Sequence, residues 1–525
     1  MERQPRETRR GNKSFMGKIV SKEQFKTEIK LELEQQGKTI ALCHGVFDLV
    51  HPGHVIHLEQ AKEMADVLVV SITAAKYVRK GPGRPYFDDD MRMKFLSALE
   101  CVDYVMLSEG YTVDDIIEAV EPDIYVKGEE YAKAEDDITG KISEEKALVE
   151  AHGGRLGFTT GQVFSSTKLI NTAMSGLSEE VREYMVKFKK KYSMEDIREY
   201  IPKIQNLNVL VVGDVIIDKY TYCNVQGMMS KDMGYSARLK KSEEYFGGAV
   251  AVARHISSFT NQITLMSMIG NEEEIEKRLS DELSGKINLE FVHSSSFPTI
   301  IKHRYLSKNE KREEYRKIFA INNIPENRTY GKEEHERFKE LLKEKIADYD
   351  VIFLCDFGHG LVDKEVINIV QNKAKYLVLN CQTNSSNKGM NIITKYKRAD
   401  VFTLDQQELK LAFPEYASDE EKALRELSKH LNGKGCLTKG SHGAYGIQEN
   451  EVYDCPAFTL NVKDTIGAGD AFLSVAGLFM AAGADVEVGT FTGNIAGALG
   501  ANIVGNKESV EQVNVLKYAS TLMNV

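Results

Sequence analysis

Short apolar runs alternate with longer amphipathic stretches along most of the chain. "TIALCHGVF", "VLVVSI", "YVMLS" and "DIYVKG" each read as a strand followed by a helical segment. That rhythm predicts a parallel sheet covered by helices, an α/β fold. It stops near "GGRLGFTTGQVFSSTKLINTAM". The charged stretch "LSEEVREYMVKFKKKYSMEDIREYIPKI" follows, with no evident apolar core run, and predicts a connector plus the first helix of a new unit. "NVLVVGDVIID" then opens a second α/β domain. The expected division lies near residue 190: a basic tail and leading helix over 1–35, a first domain over 36–175, a helical linker over 176–205 and a second domain over 206–525.

Composition narrows the function classes. At 525 residues, each domain is long enough to bury its own core. A net charge of -10 argues against a general nucleic-acid binder. The opening "MERQPRETRRGNKSF" is basic and polar without an apolar centre, and reads as a disordered tail and not a signal peptide. The seven cysteines are scattered, form no C-x-x-C pair and sit mostly in apolar runs, as expected of reduced thiols in a cytoplasmic protein. The most apolar late stretch, Ala471 to Gly505, is broken by Asp485 and Glu487 and rich in Gly and Ala. It predicts closely packed helices and no membrane span.

Two stretches carry candidate chemistry. In "CHGVFDLVHPGHVIHL", His51 and His54 flank Pro52-Gly53 where a strand gives way to a helix. Paired histidines can ligate zinc, but zinc needs three or four ligands, and no C-x-x-C lies nearby. A helix N-terminus suits a phosphate, to which two imidazoles on the first turn can donate. Two capping histidines without function are the third reading. In "DTIGAGDAFLSVAGLF", the backbone N–H groups of Gly467, Ala468 and Gly469 can converge on an anion ahead of an apolar helix. Asp470 follows, placed to take a proton from an attacking hydroxyl. The bland alternative is a turn with an N-cap.

The surroundings resemble two known families. "GVFDLVHPGH" resembles the G-x-F-D-x-x-H-x-G-H signature of the nucleotidyltransferase superfamily that includes cytidylyltransferases. "RKGPGRPYFDDDMRMKFLSALECVDYV", "PDIYVKGEEY" and "FSSTKLI" look like the adenylyltransferase half of the bifunctional heptose-phosphate enzymes of surface-polysaccharide synthesis. The resemblance implies a Rossmann-like domain in which Gly45, Phe47, His51, His54, Arg92, Lys127, Ser166 and Thr167 surround the nucleotide, with Lys80 and Arg84 as further cationic contacts. A substrate phosphate would attack the α-phosphorus of ATP, CTP or another NTP, with Mg²⁺ and pyrophosphate release.

The second domain is similar to the ribokinase-like sugar kinases. "VVGDVIIDKY" supplies Asp214 and Asp218, and "YFGGAVAVA" supplies Gly247 and Gly248, for the sugar. "TLDQQELKLAF" gives Asp405 and Glu408 near nucleotide and Mg²⁺, with Glu408 the metal residue, and "LTKGSHGAYG" gives Lys439 near the nucleotide. "FPTIIKHRYLSKN" and "CDFGHG" match weaker segments of the heptose kinase branch. The chain departs from that branch where Asn380-Cys381-Gln382 replace an acidic D-P-K-like stretch and Asp405 replaces Asn. Its domain order is also reversed. The implied protein is a cytoplasmic bifunctional enzyme, using ATP and Mg²⁺ to phosphorylate a sugar or a heptose 7-phosphate-like sugar phosphate and an NTP to activate a sugar 1-phosphate. It would need neither nucleic acid nor membrane, and would form a homodimer through a small β lid of the kinase domain, where "YTYCNVQGMMSKDMGYSARLKKSEEYF" has suitable alternation. The alternative is a cytidylyltransferase for a polyol or other small phosphate, its second domain a degenerate binding or dimerisation module.

Overall fold

The computed structural model describes residues 18–78, 85–128, 142–159, 177–231, 233–308, 315–325, 328–384, 387–458, 462, 464–503 and 506–524. The chain forms two compact units that part between Gly176 and Leu177. Among the described residues no helix is long and apolar enough to cross a membrane.

The first unit is a six-stranded parallel sheet. Its strands are β1 (Lys18–Ile19), β2 (Ile40–Gly45), β3 (Val67–Thr73), β4 (Tyr104–Ser108), β5 (Ile124–Gly128) and β6 (Arg155–Thr159), in the order β1-β4-β3-β2-β5-β6. Val67 to Ile72 is buried throughout because helices cover both faces, which is why "VLVVSI" reads as an unbroken apolar run. Alternate residues serve the two faces: Leu42 and Val69 enter one core cluster, Cys43, Leu68 and Val70 the other. The connections run outward from β2 in one direction through β3 and β4, and in the other through β5 and β6. Ligands bind α/β sheets at such a reversal, beyond the strands' carboxyl ends.

The second unit is built on nine strands: β7 (Val209–Gly213), β10 (Ile263–Gly270), β11 (Asn288–Ser294), β14 (Val351–Asp356), β15 (Leu377–Cys381), β16 (Val401–Asp405), β17 (Lys434–Thr438), β18 (Ala444–Gln448) and β19 (Glu451–Cys455). Their order is β11-β10-β7-β14-β15-β16-β17-β18-β19, parallel as far as β17 and antiparallel beyond it. Here the reversal falls between β7 and β14. The remaining strands form the small β lid, ordered β13-β12-β8-β9: β8 (Val215–Met228), β9 (Tyr235–Gly248), β12 (Ile300–Lys308) and β13 (Tyr315–Asn323).

The charged stretch before β7 is part of this second unit. In the helix Glu179–Phe188, Val181, Met185 and Phe188 are buried, and Phe188 stacks on Phe491 at 4.4 Å. Lys191 pairs with Glu487 at 2.8 Å. The helix therefore docks on the core of the second unit and does not hang between the two.

Candidate active sites

In the first unit β2 ends at Gly45, and the chain turns through Phe47 into the helix Pro52–Glu63. Phe47 sits in the left-handed region at φ 45°, and its ring meets His54 edge-on at 5.3 Å. His51 is the N-cap: its Nδ1 accepts from the Gly53 amide at 3.0 Å, while the His51 amide donates to Nδ1 of His54 at 3.4 Å. A ring nitrogen that accepts carries no proton, so in each neutral imidazole the proton sits on Nε2. Burial holds His51 below the ordinary histidine range, which keeps it neutral. The rings lie 4.1 Å apart, and His51 Nε2 is buried with no hydrogen-bond partner among the described residues. Zinc on Nε2 would force each proton onto Nδ1 and break the caps. Two N–H donors on a helix's first turn suit an anion. Among the described residues no three His, Cys, Asp or Glu side chains gather as a metal site.

The other predicted positions of this unit divide. Lys127 ends β5, beside β2 at the reversal, and pairs with Glu145 at 2.7 Å. Arg92 is placed otherwise than a nucleotide contact requires. It is 1% exposed, and its guanidinium donates to the carbonyls of Val46 at 2.6 Å, Thr73 at 3.0 Å and Phe87 at 3.1 Å, and to Asp89. Those donors tie the loops around the site together instead of facing a ligand. Lys80, Arg84, Ser166 and Thr167 lie outside the described residues.

In the second unit one cleft of about 280 Å³ gathers Asp218, Gly248, Asp405, Glu408, Gly467, Gly469 and Asp470. Asp218 on β8 is paired in register with Lys302 on β12 and accepts from Arg304. Gly247 has no room for a side chain: a Cβ there would lie 2.2 Å from Asp218 Oδ2. Gly248, at φ 61°, closes on the Asp214 carbonyl, which a Cβ would approach to 2.5 Å. Opposite the lid, Gly467 caps the helix Ala468–Ala481 at φ 83°, and Gly469 has open space where a Cβ would point. Gly467 and Gly469 line the cleft, whereas the Ala468 amide, expected to face an anion, donates instead to the Thr465 carbonyl at 3.3 Å. Asp470 accepts from Gln382 Nε2 at 3.1 Å, and burial pushes its carboxyl up to about 7.

Asp405 and Glu408 form a reciprocal cap on the helix Gln406–Ala412. Asp405 accepts from the Glu408 amide at 2.8 Å, while Glu408 accepts from the amides of Asp405 at 2.9 Å and Thr383 at 2.8 Å. Burial, then the charge of Asp405, raises Glu408 to about 7. Lys439 is committed elsewhere: its ammonium pairs with Asp454 at 2.7 Å and lies 3.5 Å over the Tyr445 ring.

A family model described as pfkB family carbohydrate kinase matches residues 206–511, more than half of the chain. The chain belongs to the pfkB family of carbohydrate kinases. A second model, described as cytidylyltransferase-like, matches residues 42–198. The "Bifunctional protein HldE" of Syntrophotalea carbinolica is 36% identical over 144 residues, 27% of this chain and 28% of that protein. Its counterpart from Citrifermentans bemidjiense is 38% identical over 145 residues, again 27% and 28%. The matches thus span under a third of these relatives' length. A solved ribokinase from Thermotoga maritima is 16% identical, with a TM-score of 0.47 over 60% of this chain and 99% of that one.

The pfkB unit holds cleft residues that the motifs did not reveal. Lys302 and Arg304 reach it from β12, Gln382 from the end of β15, and Asn506 from the loop after the helix Val486–Gly500. The alternation in "TIIKHRYLS" places Lys302 and Arg304 on one strand face, a signal available in the sequence. Nothing comparable marks Asn506. At the departure from the kinase branch, Asn380 donates to the Thr403 carbonyl at 3.1 Å and its Oδ1 is buried with no hydrogen-bond partner among the described residues.

Proposed function

We propose that the chain is a bifunctional enzyme of nucleotide-sugar synthesis. The pfkB unit uses ATP to phosphorylate a sugar or sugar phosphate, heptose 7-phosphate being the best match. The cytidylyltransferase-like unit joins a sugar 1-phosphate to a nucleotide with release of pyrophosphate, taking ATP, CTP or another NTP. The family memberships and the bifunctional naming of the relatives support this. One observation carries the kinase half: Asp470 is a buried carboxyl raised to about 7, in the first turn of a glycine-capped helix and in the same cleft as Asp218. A base with such a pKa is matched to deprotonating a hydroxyl at neutral pH. Mg²⁺ would neutralise charge between phosphates here. Glu408 and Asp405 fit it as oxygen donors, because Mg²⁺ takes one or two carboxylates and leaves its other positions to phosphates and water.

In the first unit His51 and His54 would donate to the nucleotide phosphates. A dimer through the lid is supported by exposed apolar residues on it, among them Met228, Met233, Leu239 and Phe319. We place the protein in the cytoplasm on its cysteines, all of them free.

The test is a pair of assays on the full chain, ADP release with sugars and sugar phosphates, and pyrophosphate release with each NTP and sugar 1-phosphates. Activity in both supports the reading. Pyrophosphate release without sugar phosphorylation at any Mg²⁺ concentration would return the pfkB unit to a binding or dimerisation role, which Asn380 and the departure from the kinase branch after Gln226 favour. Light scattering at micromolar concentration should give a dimer.

A further inference from the structure

Beside the cleft of the pfkB unit, two polar side chains are buried and close no side-chain hydrogen bond among the described residues. Asp214 follows β7, is 1% exposed, and neither carboxylate oxygen closes a hydrogen bond among the described residues, although the His359 amide lies near. His359 follows β14, is 0% exposed, and neither ring nitrogen closes a hydrogen bond among the described residues. Leaving such groups unsatisfied is costly, so a fold that retains two together has something else to fill them.

Their position points to a ligand. β7 and β14 are the adjacent strands between which the sheet's connections reverse. Gly248 and Phe357, neighbours of the two groups, line the cleft. The turn carrying His359 is rigidly held: the Gly358 amide donates to Asp356 at 3.0 Å and Asn387 donates to the Phe357 carbonyl at 2.9 Å. Asp356 itself accepts from Tyr396 at 2.7 Å and Asn391 at 3.2 Å. The turn that carries the imidazole is thus held by hydrogen bonds that do not involve the ring.

The chemistry selects the ligand class. Burial, with Lys302 and Arg328 nearby, pushes His359 down to about 3, so the ring is neutral and offers one donor and one acceptor. Asp214, which burial pushes up to about 7, accepts when ionised and also donates when protonated. An apolar ligand would leave all of these groups unpaired, and an anion would meet Asp214. Adjacent hydroxyls satisfy both. We propose that His359 is a specificity-determining contact which, with Asp214, reads neighbouring hydroxyls of a polyhydroxylated acceptor. This rests on the kinase reading and adds to it the residue that recognises the acceptor.

The experiment compares the full-length protein with His359→Phe and His359→Asn, using heptose 7-phosphate, fructose 6-phosphate and ribose as probes. Calorimetry gives Kd for each probe and for ATP, and melting without ligand gives Tm. For whichever probes bind, His359→Phe should weaken binding about 10- to 100-fold while ATP binding stays within about twofold. His359→Asn, which keeps a donor and an acceptor, should recover part of it. Ligand-free Tm of His359→Phe should be unchanged or higher, because an apolar ring relieves two orphaned atoms. Probe binding unchanged in His359→Phe, or a clear fall in its Tm, overturns the proposal and leaves the kinase reading standing. If the unmutated protein binds probes but phosphorylates none, the kinase reading fails while the role of His359 is still decided. If it binds ATP but no probe, the pocket is not a hydroxyl reader.

Discussion

Asp470→Asn is the most informative single change, because activity and stability should move in opposite directions. Asn keeps the shape and an oxygen to accept from Gln382, which lies 3.1 Å away in the native protein. What it lacks is the basic carboxylate. Loss of a positioned base costs about 10²–10⁴ in rate, or about 3–5 kcal/mol of barrier. Burial carries the carboxyl from its ordinary 3.8 to about 7, so the native protein holds this proton more tightly than the unfolded chain. Stability therefore falls as pH rises from about 4 to about 7, and the cost is fully present above 7. That displacement corresponds to at most about 4 kcal/mol. Asp470→Asn should thus melt higher than the native protein at about pH 8, with the gap closing near pH 4. Native phosphorylation should climb about tenfold per pH unit below 7 and then level. ADP release across pH and melting followed by circular dichroism measure both. A variant that keeps about a fifth of native activity, or one less stable at about pH 8, refutes the assignment.

Three further changes test the remaining assignments. His54→Ala should lower pyrophosphate release by about a hundredfold or more, the scale of a lost transition-state donor, with sugar phosphorylation intact. Stoichiometric zinc lost on that mutation would restore the metal reading. Arg92→Met should cost about 3–5 kcal/mol in urea unfolding of the first unit, because it strips three carbonyls and Asp89 of a buried donor. Glu408→Gln should raise the Mg²⁺ concentration for half-maximal phosphorylation about tenfold, and an unchanged Mg²⁺ dependence would remove Glu408 from the metal's surroundings.

The architecture was legible because strands buried on both faces write continuous apolar runs. Val67 to Ile72 and Val209 to Gly213 are buried without interruption, and each was visible as such. The helix Glu179–Phe188 was harder. Its buried residues Val181, Met185 and Phe188 follow helical spacing but are outnumbered by charge, so they form no run. Side-chain placements were legible where glycines and a carboxylate gather at a helix start: Gly467, Gly469 and Asp470 line one cleft. They were not legible where exposure inverts hydropathy: Met91 is 58% exposed, while its neighbour Arg92 is 1% exposed. A cation in a motif-rich segment looks like a ligand contact until its donors are traced to backbone carbonyls. His359 was hidden for a related reason. "CDFGHG" shows a glycine turn, but only the fold shows that no described residue hydrogen-bonds the ring.

The two units place opposite chemistry at equivalent points of their sheets. Beyond β2 stand imidazole donors and near the end of β5 a lysine, whereas beyond β7 and β14 stand Asp214 and, across the cleft, Asp218 and Asp470. Among the described residues, the carboxyls that the fold pushes up to about 7 are Asp214, Glu408 and Asp470, all in the pfkB unit. The proposed reactions account for that asymmetry. A sugar hydroxyl must lose a proton as it attacks phosphorus, so the kinase needs a carboxylate that is basic near neutrality and accepts the cost of burying it. A sugar phosphate attacks already ionised. Nucleotidyl transfer then needs donors that hold and neutralise phosphates, which two Nε2–H groups on a helix's first turn provide without any buried base.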